Sequence, residues 1–113
     1  MSTLLVKPDE LAIVHEILTR CIPEREVWAF GSRVSGACKP YSDLDLVMIG
    51  QIPLPLSLLA ELEEAFTESP LSFKVDLVDW ATTQESFRGI IQQNYLVIQS
   101  ASTGSPICSD AKV

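Results

Sequence analysis

The sequence predicts a small α/β fold, a mixed β-sheet flanked by helices. Three observations carry that prediction. Apolar residues recur at helical spacing near residues 8–21 and 55–67. Short apolar or alternating runs at 26–30, 43–49 and 73–79 read as strands between and after them. The first two strands are joined by about a dozen residues, short for a parallel crossover, which favours a mixed sheet.

Taken in order, Pro8-Asp9-Glu10 opens the first helix, with proline near the first position and acids in the first turn. Leu11, Val14, Ile17, Leu18 and Cys21 form its apolar stripe, and Pro23 ends it. His15 lies beside that stripe with no acid or cysteine near it in sequence, and reads as structural. Val27-Trp28-Ala29-Phe30 is the first strand, followed by a Gly31-Ser32 turn and a short helical segment near 32–37. The second strand spans 43–49. In the next helix Leu58, Leu59, Leu62, Ala65 and Phe66 mark one buried face. Ser69-Pro70 breaks the chain before the strand from Phe73 to Asp79. Thr82-Thr83-Gln84-Glu85 has the form of a capping box before a helix carrying Phe87, Ile90 and Ile91. Leu96-Val97-Ile98 fits either a short strand or the end of that helix. Residues 1–99 are expected to form one domain, and 100–113, rich in Ser, Gly and Pro, a flexible C-terminal tail.

Composition narrows the function classes. The apolar fraction is 47% and the mean hydropathy +0.24, values of a globular chain. No apolar run approaches the roughly 20 residues that span a bilayer, and the N-terminus does not read as a signal peptide. A cytoplasmic protein with no membrane partner is expected. The formal charge of −7 argues against direct binding of nucleic acid, and a polyphosphate needs a cation and a local positive group. Arg33 and Lys39 are the local candidates. Cys21, Cys38 and Cys108 are widely spaced and read as reduced thiols.

The informative segment is Gly31-Ser32-Arg33, Gly36 and Ser42-Asp43-Leu44-Asp45-Leu46. On a strand the side-chain period is two, so Asp43 and Asp45 share one face and Leu44, Leu46 and Met48 the other. Two carboxylates about 5 Å apart repel by roughly 3 kcal/mol at an effective dielectric of about 20. A hard divalent cation relieves this, and Mg²⁺ is commonly held by one or two carboxylates plus substrate phosphates. Asp76 sits in the middle of an apolar strand, where an acid needs a partner or a metal, and is the natural third member. Asp79, at the strand end, reads as a turn residue. Three carboxylates on neighbouring strands suit two-metal phosphoryl transfer. The Gly-Ser turn offers backbone N–H groups, and Ser32 a hydroxyl, to phosphate. A P-loop is excluded, since no Gly-Lys-Ser/Thr is present, and the rest of an EF-hand loop is absent.

Gly-Ser, ten residues, Asp-x-Asp and a later aspartate in an apolar strand resemble the polymerase-beta-like nucleotidyltransferase superfamily. The string GSRVSGACKPYSDLDL is similar to its minimal nucleotidyltransferase branch, and the likeness covers roughly residues 10–99. That resemblance implies the superfamily's mixed-sheet fold over a domain of residues 1–99, two Mg²⁺ ions and ATP as substrate. It implies Gly31, Ser32, Arg33 and Ser42 on the nucleotide. It places Asp43, Asp45 and Asp76 as catalytic residues and metal ligands. It also implies a small helical HEPN-type partner, with this chain as the antitoxin that transfers AMP to a hydroxyl of the toxin. Two alternatives stand beside this. One is a weakly catalytic module that neutralises a partner by contact. The other is nucleotidyl transfer to a small-molecule hydroxyl, for which the chain has little room. Any acceptor pocket would then be shared with another chain, so a partner or oligomer is expected. Trp28, Trp80 and Tyr41 are candidates for an exposed apolar patch, with the core the safer place for Trp28.

Overall fold

The computed structural model describes residues 6–36 and 42–100. Helix α1 (Pro8–Cys21) starts with proline at its first position, where the missing N–H costs nothing. It leads to β1 (Glu26–Phe30), the short α2 (Ser32–Ser35) and β2 (Leu44–Ile49). Then come α3 (Leu56–Glu68), β3 (Val75–Asp79), a 3₁₀ turn (Trp80–Thr82), α4 (Glu85–Gln93) and β4 (Tyr95–Gln99).

The sheet order is β3-β2-β1-β4. β1 runs antiparallel to both β2 and β4, and β2 runs parallel to β3 across the α3 connection. The mixed sheet follows the short β1–β2 link, which cannot return the chain to a parallel start.

One face of the sheet meets α1 and α3. Val14, Ile17 and Leu18 of α1 and Leu62 and Phe66 of α3 close over Leu44, Leu46 and Met48. Burying each of these larger side chains stabilises the fold by about 1.5–3 kcal/mol. The other face carries a smaller cluster of Phe30, Val47 and Ile91, with Trp28, Ile49, Val78 and Trp80 packed against it. Trp28 stacks on Tyr95 with centroids 4.0 Å apart and meets Trp80 edge-on at 5.4 Å. Among the described residues the exposed large apolar side chains are Phe87, Ile90, Tyr95 and Val97, on α4 and β4, together with Ile52 and Leu56.

One open reading is settled and one changes. Residues 95–99 are a strand, fixed by pairing with β1 and by Gln99, whose side-chain amide donates to the Ile22 and Arg25 carbonyls at 2.9 Å. No capping box forms, since α4 starts at Glu85 after Gln84, which makes no side-chain cap. The Thr82 and Thr83 hydroxyls instead donate back to the Asp79 carbonyl and close the 3₁₀ turn. His15 is exposed. Among the described residues no helix is long and apolar enough to cross a membrane. The expected C-terminal tail beyond residue 100, Lys39, Tyr41 and two of the cysteines lie outside the described residues.

Candidate active site

The site begins where β1 ends. Gly31 has φ +84° and ψ −157°, a backbone conformation that side chains rarely tolerate. Space demands glycine as well, because a Cβ there would overlap the Asp45 carboxylate, lying 3.1 Å from its Cγ. The turn therefore lies directly against the acidic strand. Ser32, half-buried, opens α2, and Gly36 ends it in the left-handed conformation with its N–H donating to the Ser32 carbonyl at 3.0 Å.

Register gathers the acids. The parallel pairing of β2 and β3 sets Asp45 beside Asp76, and the antiparallel pairing with β1 sets Asp45 beside Phe30. Asp43 precedes the first residue of β2 and is exposed at the rim. The Asp45 carboxyl is pushed up to about 6, first by burial, then by the charges of Asp76 and Asp43. Among the described residues no three His, Cys, Asp or Glu side chains stand gathered as a ready metal-binding set. The donor chemistry still fits a hard divalent cation: the three candidates are all carboxylates, and a side-chain-free glycine borders the central one.

Arg33 turns inward. Its side chain is 5% exposed, its Nε donates to the Ser42 carbonyl at 2.9 Å, and its guanidinium lies 4.3 Å above the Phe73 ring centroid. Ser42 is half-buried. From α1, Glu10 accepts from the Ser72 hydroxyl and, at 3.2 Å, from the Ser72 N–H. The Glu10 carboxyl is held below its ordinary value, first by the Ser72 hydroxyl, with Lys7 and Arg33 adding charge and burial opposing.

Asp79 faces the opposite way from Asp76, as an odd offset on a strand requires. Its carboxylate accepts from the Leu54 N–H at 2.8 Å and the Ala81 N–H at 3.3 Å, so it fastens the loop before α3. Phe73, Ser72 and Glu10 also lie near this site, brought there by folding and not by any spacing in the chain. Glu10 and Ser72 are 62 residues apart and carry no local signal.

The family described as polymerase beta, nucleotidyltransferase matches residues 15–103. The chain is 55% identical over 94 residues to a probable protein adenylyltransferase MntA of Haemophilus influenzae, covering 83% of this chain and 82% of that one. Two solved structures share its fold. One is a toxin–antitoxin with AMP-PNP, at TM-score 0.67 and 22% identity, covering 80% of this chain and 73% of that one. The other is a tri-AMPylated Shewanella oneidensis HEPN toxin in complex with an MNT antitoxin, at TM-score 0.61 and 19% identity, covering 82% and 71%. The Gly-Ser turn, the paired acids and the mixed sheet thus sit in a chain that belongs to the polymerase-beta nucleotidyltransferase family, in its minimal branch.

Proposed function

We propose that this protein transfers AMP from ATP to a hydroxyl of a partner protein, with Mg²⁺, as the antitoxin of a HEPN-type toxin in the cytoplasm. The observation that carries the chemistry is the Asp45–Asp76 register, with Gly31 packed against the Asp45 carboxylate. The choice of a protein acceptor is supported by the relative named as a probable protein adenylyltransferase. The HEPN partner is supported by the fold neighbour found in complex with a HEPN toxin.

In this reading Asp43, Asp45 and Asp76 hold Mg²⁺. When bound, the metal offsets charge on the attacking and leaving oxygens of an in-line displacement. Gly31 leaves room for close approach of a phosphate, and Ser32 and Ser42 line the nucleotide's path. The acceptor oxygen forms a new bond to the α-phosphorus, the bond from that phosphorus to the bridging oxygen breaks, and pyrophosphate leaves. The acceptor's proton passes to a carboxylate. We assign Asp76, which the register sets beside Asp45 on an edge strand of the sheet.

The exposed Phe87, Ile90, Tyr95 and Val97 favour a second reading, neutralisation by contact. One experiment separates the two. ATP labelled at the α-phosphate is incubated with Mg²⁺, the neighbouring gene product and either wild-type protein or Asp45→Asn. Label on the partner with wild type alone, together with loss of neutralisation by the variant, is expected. Full neutralisation by Asp45→Asn without label supports contact and overturns the catalytic reading.

A further inference from the structure

We propose that Arg33 is a positioning residue of the carboxylate site, clamping the start of β2 to the start of β3, and not a ligand of the nucleotide's phosphates. The inference rests on the nucleotidyltransferase reading above only for what is being positioned.

A phosphate-binding arginine presents its guanidinium to solvent or to a cleft. Arg33 is 5% exposed. Arginine is almost never buried so fully without specific partners. Two partners lie at the places where the catalytic strands begin. Nε donates to the carbonyl of Ser42, the residue before Asp43. The guanidinium face lies on the ring of Phe73, two residues ahead of β3. Between these contacts the Leu44 N–H donates to the Lys74 carbonyl at 2.9 Å, the hydrogen bond that joins the two strand starts. Arg33 itself sits on α2, next to Ser32. One side chain thus ties together the Gly-Ser turn, the approach to Asp43 and Asp45 and the approach to Asp76.

Glu10 of α1 accepts from the Ser72 hydroxyl and N–H, beside Phe73, and the charge of Arg33 is the smallest of the influences on its carboxyl. A planar guanidinium can stack on a ring while donating in its own plane, and a lysine ammonium cannot. Placement matters here because a shift of about 1 Å in reacting groups can cost about 100-fold in rate.

The test uses the full chain as wild type, Arg33→Lys, Arg33→Met and Phe73→Leu. Three quantities are read: exchange of the Leu44 amide proton, Mn²⁺ affinity without nucleotide, and ATP affinity in the absence of metal. In all three variants Leu44 exchange should quicken about tenfold or more while the Val27 and Met48 amides keep their wild-type rates. Mn²⁺ affinity should fall by a similar factor, and metal-free ATP affinity should stay within about twofold. Arg33→Lys behaving as wild type, with ATP affinity lost in Arg33→Met, makes Arg33 a phosphate ligand and overturns the proposal. Uniform quickening of all amides reduces Arg33 to general stability and overturns it too. If Arg33→Met does not fold, Arg33→Lys and Phe73→Leu decide. If wild-type protein binds no Mn²⁺, the cation reading of the site fails, and Leu44 exchange still decides the positioning role.

Discussion

On one face of the sheet Leu44, Leu46 and Met48 of β2 are completely buried beneath α1 and α3. On the other, the alternating residues Asp45, Val47 and Ile49 share space with Phe30, Trp28 and Asp76, where α4 contributes Ile91. The same six-residue strand therefore serves both a dry aliphatic core and a carboxylate site. Side-chain alternation makes this possible, and it also makes register unforgiving, since a one-residue slip would exchange the two sets. The aliphatic face supplies burial energy. The acidic face gives some of it back, because Asp45 is held in a setting that disfavours its charge.

If the faces divide stability from chemistry in this way, the largest thermodynamic effect lies on the aliphatic side. Leu46→Ala should cost about 2–5 kcal/mol in denaturant unfolding, through lost burial and a cavity. A loss under about 1 kcal/mol would mean that this face is loosely packed and the contrast overstated.

A smaller effect belongs to the acidic face. The raised carboxyl of Asp45 means that the metal-free folded state holds this proton more tightly than the unfolded chain does. Its contribution is therefore present below pH about 4 and is lost as pH rises through about 6. Asp45 is only partly buried, so solvent screening limits the effect to about 1 kcal/mol. Subtracting the unfolding curve of Asp45→Asn from wild type across pH 4 to 7 isolates it from the other carboxylates. A difference that rises with pH would reverse the sign of the argument.

The smallest change is expected at Asp79. Asp79→Asn keeps an oxygen for the Leu54 or Ala81 N–H, so it should lower stability by about 1 kcal/mol or less and leave transfer activity largely intact. A dead Asp79→Asn protein would move the third carboxylate to the aliphatic face and break the comparison.

Most of this division was legible in the sequence. The alternation from Asp43 to Ile49 and the lone acid in the Val75–Leu77 run state which residues share a face, because strand geometry turns spacing directly into direction. The Gly31-Ser32 turn was legible because Gly-Ser follows a short apolar run, and the structure adds that glycine is also required by its contact with Asp45. What depends on distant pairing was not. At Tyr95–Gln99 the spacing left strand and helix end both open, because the strand shows no clear alternation and is settled by β1, some 70 residues earlier. The threonines after Asp79 look like a cap but serve the preceding turn. The inward course of Arg33 depends on Phe73, forty positions away, and spacing carries no trace of it.

The most direct test of the carboxylate site is a Mn²⁺ titration of wild type, Asp45→Asn and Asp76→Asn, with melting temperature recorded on the same samples. Wild-type protein should bind Mn²⁺. Both variants should lose at least about tenfold in affinity, the least that removing even an outer partner of a metal commonly costs. Their metal-free melting temperatures should match or exceed wild type, because repulsion is relieved and the aliphatic face is untouched. Unchanged Mn²⁺ affinity in both variants would contradict the assignment of Asp45 and Asp76 to a shared cation site.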